Sequence, residues 1–358
     1  MDMKNYKLLA ERLDALPNGF PATDDGAELR LLAKLFSPEE ALLTSKLRMT
    51  KETARQIAER TGGEYKEVRR MLKSMAKRGL IKIGKGKGGL AYGLMPFAIG
   101  IYEMQWNSID QEFAELFEDY YQKAFGQAVI IQPQFHRVLP VNETIRKDME
   151  IHPYESAAAV IESSKAWGVV DCLCRKQKAL IGDPCDHPLD VCMIMNETPG
   201  AFDQSPDIRA LTKDEAMATL HRAAEAGLVH SVMNNQEGLW YICNCCTCSC
   251  GILRGISKFG IANVIAKSAF VNQVDEDLCV PCEFCVDACQ FDAITINEVA
   301  VVDENKCIGC GVCVIHCPEG ALSMVRRPTE EIKDPPLSEE EWLERRAIER
   351  GLDMEVVR

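Results

Sequence analysis

Val274-Asp275-Glu276-Asp277-Leu278-Cys279-Val280-Pro281-Cys282-Glu283-Phe284-Cys285-Val286-Asp287-Ala288-Cys289 returns 28 residues later as Val302-Asp303-Glu304-Asn305-Lys306-Cys307-Ile308-Gly309-Cys310-Gly311-Val312-Cys313-Val314-Ile315-His316-Cys317. Both runs carry cysteine as C-x2-C-x2-C-x3-C. The first ends on Asp292-Ala293-Ile294 and the second on Gly320-Ala321-Leu322. A spacing this regular, repeated in tandem, is a poor product of chance. Thiolates are soft ligands that suit iron–sulfur clusters, and two-residue turns let three sulfurs converge on one centre. The paired C-x-x-C knuckles of tetrahedral zinc sites are arranged differently.

On these residues the C-terminal stretch resembles the bacterial two-cluster ferredoxins. The resemblance implies two [4Fe–4S] clusters, with the fourth cysteine of each run serving the other cluster. Cluster one is then held by Cys279, Cys282, Cys285 and Cys317, and cluster two by Cys307, Cys310, Cys313 and Cys289. One position departs from the pattern. Pro318 follows the second run, but Gln290 stands at the matching place in the first. A proline there shapes a turn without ligating, so the cluster is expected to survive the change. His316 is expected to be a packing neighbour of Cys317.

The chain has 17 cysteines, an odd number, and none precedes Cys172. A secreted disulfide scaffold would be short and would carry its cysteines throughout. Outside the tandem runs, Cys172-x-Cys174-Arg175 with Cys185 and Cys192 forms one group, and Cys243, Cys245, Cys246, Cys248 and Cys250 form another. Each group follows a segment that reads as a buried strand, so the two can lie close in space. Cys172, Cys174, Cys185 and Cys192 would suffice for a third [4Fe–4S] cluster. The second group would hold another or lend it ligands. Structural zinc, with His187 as a ligand, is the alternative, and redox dithiols or plain packing a further one. Arg175 is placed to offset the negative charge of a cluster or to pair with an acidic residue. So many oxidisable thiols point to an anaerobic or strongly reducing host.

The net charge of −13 conceals a split: Ser45–Leu90 has fourteen Lys/Arg against four Asp/Glu, leaving the rest at −13 − 10 = −23. An acidic body with one basic module suits two kinds of partner surface. Residues 27–50 read as helices, with Ser37-Pro38-Glu39-Glu40 as a start signal. A short helix over Lys51–Arg60 stops at Thr61-Gly62-Gly63. A second, Glu64 to Arg78, sets Val68, Met71, Leu72 and Met75 on one face. Leu80–Ile83 and Leu90–Leu94 read as strands around a flexible turn at 84–89. In this order of helix, turn, helix and hairpin the segment resembles the winged-helix family. That resemblance makes Glu64–Arg78 the recognition helix and 84–89 the wing, with Arg69, Arg70, Lys73, Lys77, Lys85 and Lys87 available to phosphates. DNA is the less favoured partner, since charge and fold alone bind phosphate without sequence readout, and protein docking uses the same face. The Gly/Lys turn lacks the G-x-x-x-x-G-K-[ST] arrangement, which excludes a P-loop.

Phe97–Phe125 is expected to be one long linking helix, with short strands at Ala128–Ile131 and Arg137–Pro140. Next come a helix over Glu155–Ala166 and a strand at Gly168–Val170. A capped helix runs from Thr212 to Gly227, and Leu228–Val232 and Leu239–Ile242 form a hairpin around Asn234-Asn235. The tail from Ser338 to Arg350 reads as a charged surface helix. The fold class expected is therefore α+β: a winged-helix-like domain over 1–96, a linker helix and central α/β cysteine-rich domain over 97–270, a two-cluster ferredoxin domain over 271–328, and a charged helical tail over 329–358.

At 358 residues, 47% hydrophobic and 27% charged, the composition is globular. Apolar runs are too short for a membrane span, and Met1 to Glu11 lacks a signal-peptide core, so a cytoplasmic location is expected. No G-x-G-x-x-G follows a strand, and no Ser/His/Asp set stands out. The arrangement as a whole resembles multi-cluster ferredoxin-like proteins of anaerobic bacteria and archaea. The function expected is single-electron transfer to or from a partner oxidoreductase. The alternatives are a redox-sensing transcriptional regulator, dimeric on DNA, and a reductive activase or enzyme with its site among the central cysteines.

Overall fold

The computed structural model describes residues 3–357. The chain divides into two compact units, Met1–Gln132 with Leu180–Gly182 and Leu343–Arg358, and Pro133–Ala179 with Asp183–Trp342.

The first unit opens with α1 (Lys4–Asp14), α2 (Ala27–Leu35) and α3 (Pro38–Thr44). The start signal at Ser37 is a capping box: Ser37 Oγ accepts from the Glu40 amide at 3.2 Å, and the Glu40 carboxylate accepts from the Ser37 amide at 3.0 Å. β1 (Glu52–Thr53), α4 (Ala54–Thr61), α5 (Tyr65–Lys77), β2 (Lys82–Gly86) and β3 (Gly89–Gly93) follow. α5 buries Val68, Leu72 and Met75 and leaves Met71 half-buried, as its periodicity implies. Two details differ from expectation. Glu52 and Thr53 pair with Tyr92 and Ala91 as a third strand, because Thr53 is the N-cap of α4 and extended there. Gly84 to Gly86 are also paired, opposite Ala91 to Gly89, so the turn shrinks to Lys87-Gly88.

The long helix expected over Phe97–Phe125 is broken. Ala98 and Ile99 are extended, the Glu103 carboxylate accepts from the Gly100 amide at 2.5 Å, and Asp110 caps a new helix, α6 (Gln111–Tyr120). Gly100 disfavours a continuous helix, and the apolar residues gain more by gathering as an aromatic cluster. Tyr102 stacks on Phe117 at 3.8 Å between ring centres, and Phe20 packs on Phe97 at 4.7 Å. α7 (Gly126–Val129) replaces the strand expected at Ala128–Ile131. The tail helix is charged and partly exposed, as expected, but one side of it is buried. Arg346 is fully buried, and its guanidinium donates to the carbonyls of Pro17, Ile131 and Ala128 at 3.1, 2.6 and 3.2 Å. Burial, with Arg350 adding to it, pulls its pKa down to about 9.

The second unit is built on a six-stranded, wholly antiparallel sheet. Its elements are β4 (His136–Leu139), α8 (Ala157–Ser163), β5 (Ala166–Val170), α9 (Leu173–Leu180), β6 (Cys192–Asn196), β7 (Arg209–Leu211), α10 (Lys213–Glu225), β8 (Val229–Met233) and β9 (Tyr241–Cys245), in sheet order β4-β8-β9-β6-β5-β7. α8 and α10 cover one face, where Val160, Ile161, Ala216 and Leu220 pack on Val169, Met193, Met195, Val232 and Ile242. Strand alternation then sends Cys192, Cys243 and Cys245 to the opposite face. α11 (Arg254–Phe259) leads to β10 (Phe270–Val274), α12 (Phe284–Asp287), β11 (Ile294–Ile296), β12 (Ala300–Val302), α13 (Val312–Ile315) and β13 (Leu322–Arg326). β10 pairs with β13 and β11 with β12, both antiparallel. Among the described residues no helix is long and apolar enough to cross a membrane.

Candidate metal centres

The tandem runs fold as two copies of one local structure. In each, an aspartate carbonyl accepts from the first cysteine amide: Asp275 from Cys279 at 3.0 Å and Asp303 from Cys307 at 2.8 Å. A left-handed residue then starts the short helix, Glu283 (φ 65°) before α12 and Gly311 (φ 78°) before α13. A second left-handed residue follows the last cysteine, Asp292 (φ 50°) in one copy and Gly320 (φ 63°) in the other. Among the described residues Glu283 and Asp292 are the non-glycines with positive φ, and each sits 28 positions before a glycine.

Cys279, Cys282, Cys285 and Cys317 line one small cavity with Val280, Ala300, Ala321 and Leu322. The Ala300 amide donates to Cys279 Sγ at 3.3 Å. In the other half, burial raises the Cys310 thiol to about 12, helped by neighbouring Cys307 and Cys289. Burial raises Cys313 as well, helped by Cys310, Cys289, Cys307 and Cys285, and Asn272 Nδ2 donates to Cys313 Sγ at 3.2 Å. Thiols pushed this far toward their neutral form are costly as bare thiolates and gain from a cation, which is the chemistry of a metal site. Gly309 shows how tight the second loop is. Its φ is +75°, and a Cβ there would stand 2.1 Å from both the Phe270 carbonyl and Ser268 Oγ. The first set therefore brings four free thiols around one cavity, and the second set supplies four more free thiols of the kind that ligate an iron–sulfur cluster. His316 Nδ1 lies 2.9 Å from the Val312 carbonyl, a bond within its own turn.

Gln290 has a role that the spacing did not announce. Its Oε1 accepts from the Thr247 amide at 2.8 Å, and its Nε2 donates to the Gly227 carbonyl. The departure from proline thus ties the end of the first run to the loop between Cys246 and Cys248.

The nine central cysteines come together from both sequence groups, in two clusters. Cys172 is influenced most by Cys174 and Cys192, Cys174 by Cys172 and Cys250, and Cys245 and Cys250 by each other and by Cys243 and Cys174. The charge of Cys243 also bears on Cys192, so these six thiols gather as one group, a loose ring. In that ring Cys172 is held well below the ordinary thiol range, first by bonds from Cys174 and Cys192 and then by Arg175, while Cys174 and Cys192 are held above it. Cys185 stands apart from this ring. It gathers with His187, Cys246 and Cys248, all ligand atoms lying within 4.8 Å of one another. Arg175, 2% exposed, donates to the Asn244 carbonyl at 3.1 Å and reaches Cys246 Sγ at 3.7 Å. Burial alone would make it easier to deprotonate, but Cys172, Cys192, Cys246 and Cys245 outweigh that and keep it charged.

Residues 272–295 and 300–323 each match the 4Fe-4S binding domain family. No curated protein matches the chain. The matched stretches contain both cysteine runs, and with them the chain is an iron–sulfur protein whose C-terminal part is of ferredoxin type.

Proposed function

We propose that this protein carries single electrons in the cytoplasm, to or from a partner oxidoreductase. Its carriers are two [4Fe–4S] clusters, one on Cys279, Cys282, Cys285 and Cys317 and one on Cys307, Cys310, Cys313 and Cys289. A third iron–sulfur centre sits on the six-thiol ring. The observation that supports this best is the cavity that Cys317 shares with Cys279, Cys282 and Cys285, with Cys289 influencing Cys310 and Cys313 in the other half. When bound, such clusters supply one-electron redox chemistry. The chain's part is to hold their ligands, Cys285 and Cys313 among them buried, and to aim N–H groups, from Ala300 and Asn272, at the sulfurs, which favours the more negative reduced state.

The edge of the first set suits a docking partner. Leu278, Val280 and Phe284 are about half exposed beside Cys282, amid exposed Asp275, Glu276, Asp277, Glu283 and Asp287. An apolar centre with an acidic rim fits a basic redox protein. Iron and sulfide analysis with EPR on anaerobically purified protein tests the reading. About eight irons are expected from the module and about twelve in all, and a product with fewer than about eight overturns it.

A second reading, a DNA-binding regulator of winged-helix type, is supported by the open basic face. Arg69, Arg70, Lys73, Lys77, Lys85 and Lys87 are all exposed, and none is ion-paired among the described residues. Gel-shift measurements at two salt concentrations separate the readings. Specific, salt-resistant retention of a DNA site, in particular the region upstream of its own gene, promotes the regulator; retention that vanishes with salt is charge alone.

A further inference from the structure

One set of central ligands is spaced for a single metal ion. Cys185 and His187 lie on the loop after α9, and Cys246 and Cys248 on the loop after β9. Each pair has a single residue between its members, so two short knuckles face each other. Cys185 Sγ is 4.0 Å from Cys246 Sγ, Cys248 Sγ is 3.7 Å from His187 Nδ1, and no two of the four ligand atoms are more than 4.8 Å apart. Around one tetrahedral ion, thiolates bound at about 2.3 Å stand about 3.8 Å apart. A cubane spreads its four ligands much wider, because each is bound to a different iron of the cube.

We infer that Cys185, His187, Cys246 and Cys248 form a mononuclear zinc site, distinct from the iron–sulfur centres. The set is of the three-cysteine, one-histidine type found in closed structural zinc sites, with no open position for a substrate. Three thiolates on a dication leave one net negative charge. Two neighbouring groups offset it: the Arg175 guanidinium at 3.7 Å from Cys246 Sγ, and Ser249 Oγ at 3.4 Å from Cys185 Sγ. The Cys246–Cys248 loop is shaped from outside as well, since the Gln290 carboxamide holds the Thr247 amide between the two ligands at 2.8 Å. Zinc has no redox chemistry, so the ion serves to pin the two loops together beside the six-thiol ring, whose thiols remain for iron.

The test is metal analysis of the full chain purified anaerobically from medium containing iron and zinc, with X-ray absorption at the zinc edge. The expected result is about one zinc per chain in a shell of three sulfurs and one nitrogen. Cobalt supplied in place of zinc should give the visible absorption of a tetrahedral thiolate site. His187→Ala and Cys248→Ser should each lower zinc occupancy several-fold while leaving the iron content of the tandem module unchanged. Zinc below about a tenth of an equivalent, a four-sulfur shell, or full zinc retention in both variants overturns the assignment. Because zinc and iron are counted separately, an iron content too low for electron transfer would leave this result standing, and the converse also holds.

Discussion

Cys317 belongs to the second cysteine run, yet it lines the same cavity as Cys279, 38 residues earlier in the chain. Cys289 of the first run stands in turn among Cys307, Cys310 and Cys313. If these groupings are the ligand sets, Cys317→Ala damages the cluster of the first run. A [3Fe–4S] EPR signal, or loss of about four of about eight module irons, is expected there, with the other cluster still on Cys307, Cys310, Cys313 and Cys289. Cys289→Ala should do the reverse. Retention of cubane one in Cys317→Ala alongside damage to cubane two would show that each run ligates its own cluster.

Gln290 offers a test of how the module is joined to the central loops. Gln290→Pro would bring the first run into line with the second, where Pro318 stands, but would strip the Thr247 amide and the Gly227 carbonyl of their partner. Each half-buried backbone group left without a partner costs about 1–3 kcal/mol. The variant should therefore be less stable in chemical denaturation by about 2 kcal/mol or more. Unchanged stability would mean that the two hydrogen bonds contribute nothing.

The left-handed pair Glu283 and Asp292 gives a prediction of opposite sign. A non-glycine residue in that region bears a strain of about 1–2 kcal/mol, partly offset by the added entropy glycine brings to the unfolded chain. Glu283→Gly and Asp292→Gly should thus be neutral or stabilising by up to about 1 kcal/mol. Gly311→Ala should destabilise, since its φ is +78° and a Cβ would meet Thr144 Oγ1 at 2.5 Å. Thermal melts of the three variants under anaerobic conditions decide it, and a melting point lowered in all three would refute the strain argument.

The tandem module was legible because its information is local: the cysteine spacing, the repeated aspartate and the 28-residue offset all lie within the residues that form it. The capping boxes at Ser37 and Thr212 were legible for the same reason. The central cysteines were not, because their grouping depends on sheet register. Cys192 enters through β6 and Cys243 with Cys245 through β9, and the pairing of Met193 with Ile242 and Ile194 with Tyr241 brings those strands together. Spacing along the chain put Cys185 with Cys172, Cys174 and Cys192, whereas the fold sets its thiol beside His187 and Cys246. Arg346 misled for another reason. A charged residue in a charged helix reads as surface, and nothing nearby in sequence reveals the carbonyls of Pro17, Ala128 and Ile131 that receive it.

His136 gives a pH dependence whose sign can be worked out. It is 5% exposed, Tyr241 Oη lies 2.8 Å from its Nε2, and Ser231 Oγ lies 3.4 Å from its Nδ1. A neutral ring satisfies both contacts, accepting from the tyrosine and donating to the serine. Burial pushes its pKa down from 6.5 to about 3. The folded value lies below the unfolded one, so the stabilisation is fully present above pH about 6.5, where neither state binds the proton. As the pH falls further the unfolded chain takes up a proton that the folded chain refuses, and stability drops by up to about 1.4 kcal/mol per pH unit. Between pH 7.5 and 5.5 this group alone should remove about 1.4 kcal/mol. Denaturant titrations of the wild type and of His136→Gln at both values measure it, and His230, buried and also held low, contributes equally to both proteins and cancels. The variant is expected to be less stable at pH 7.5 but to lose about 1.4 kcal/mol less on acidification. Equal losses in the two proteins would mean that His136 takes up its proton as readily in the folded chain as in the unfolded one.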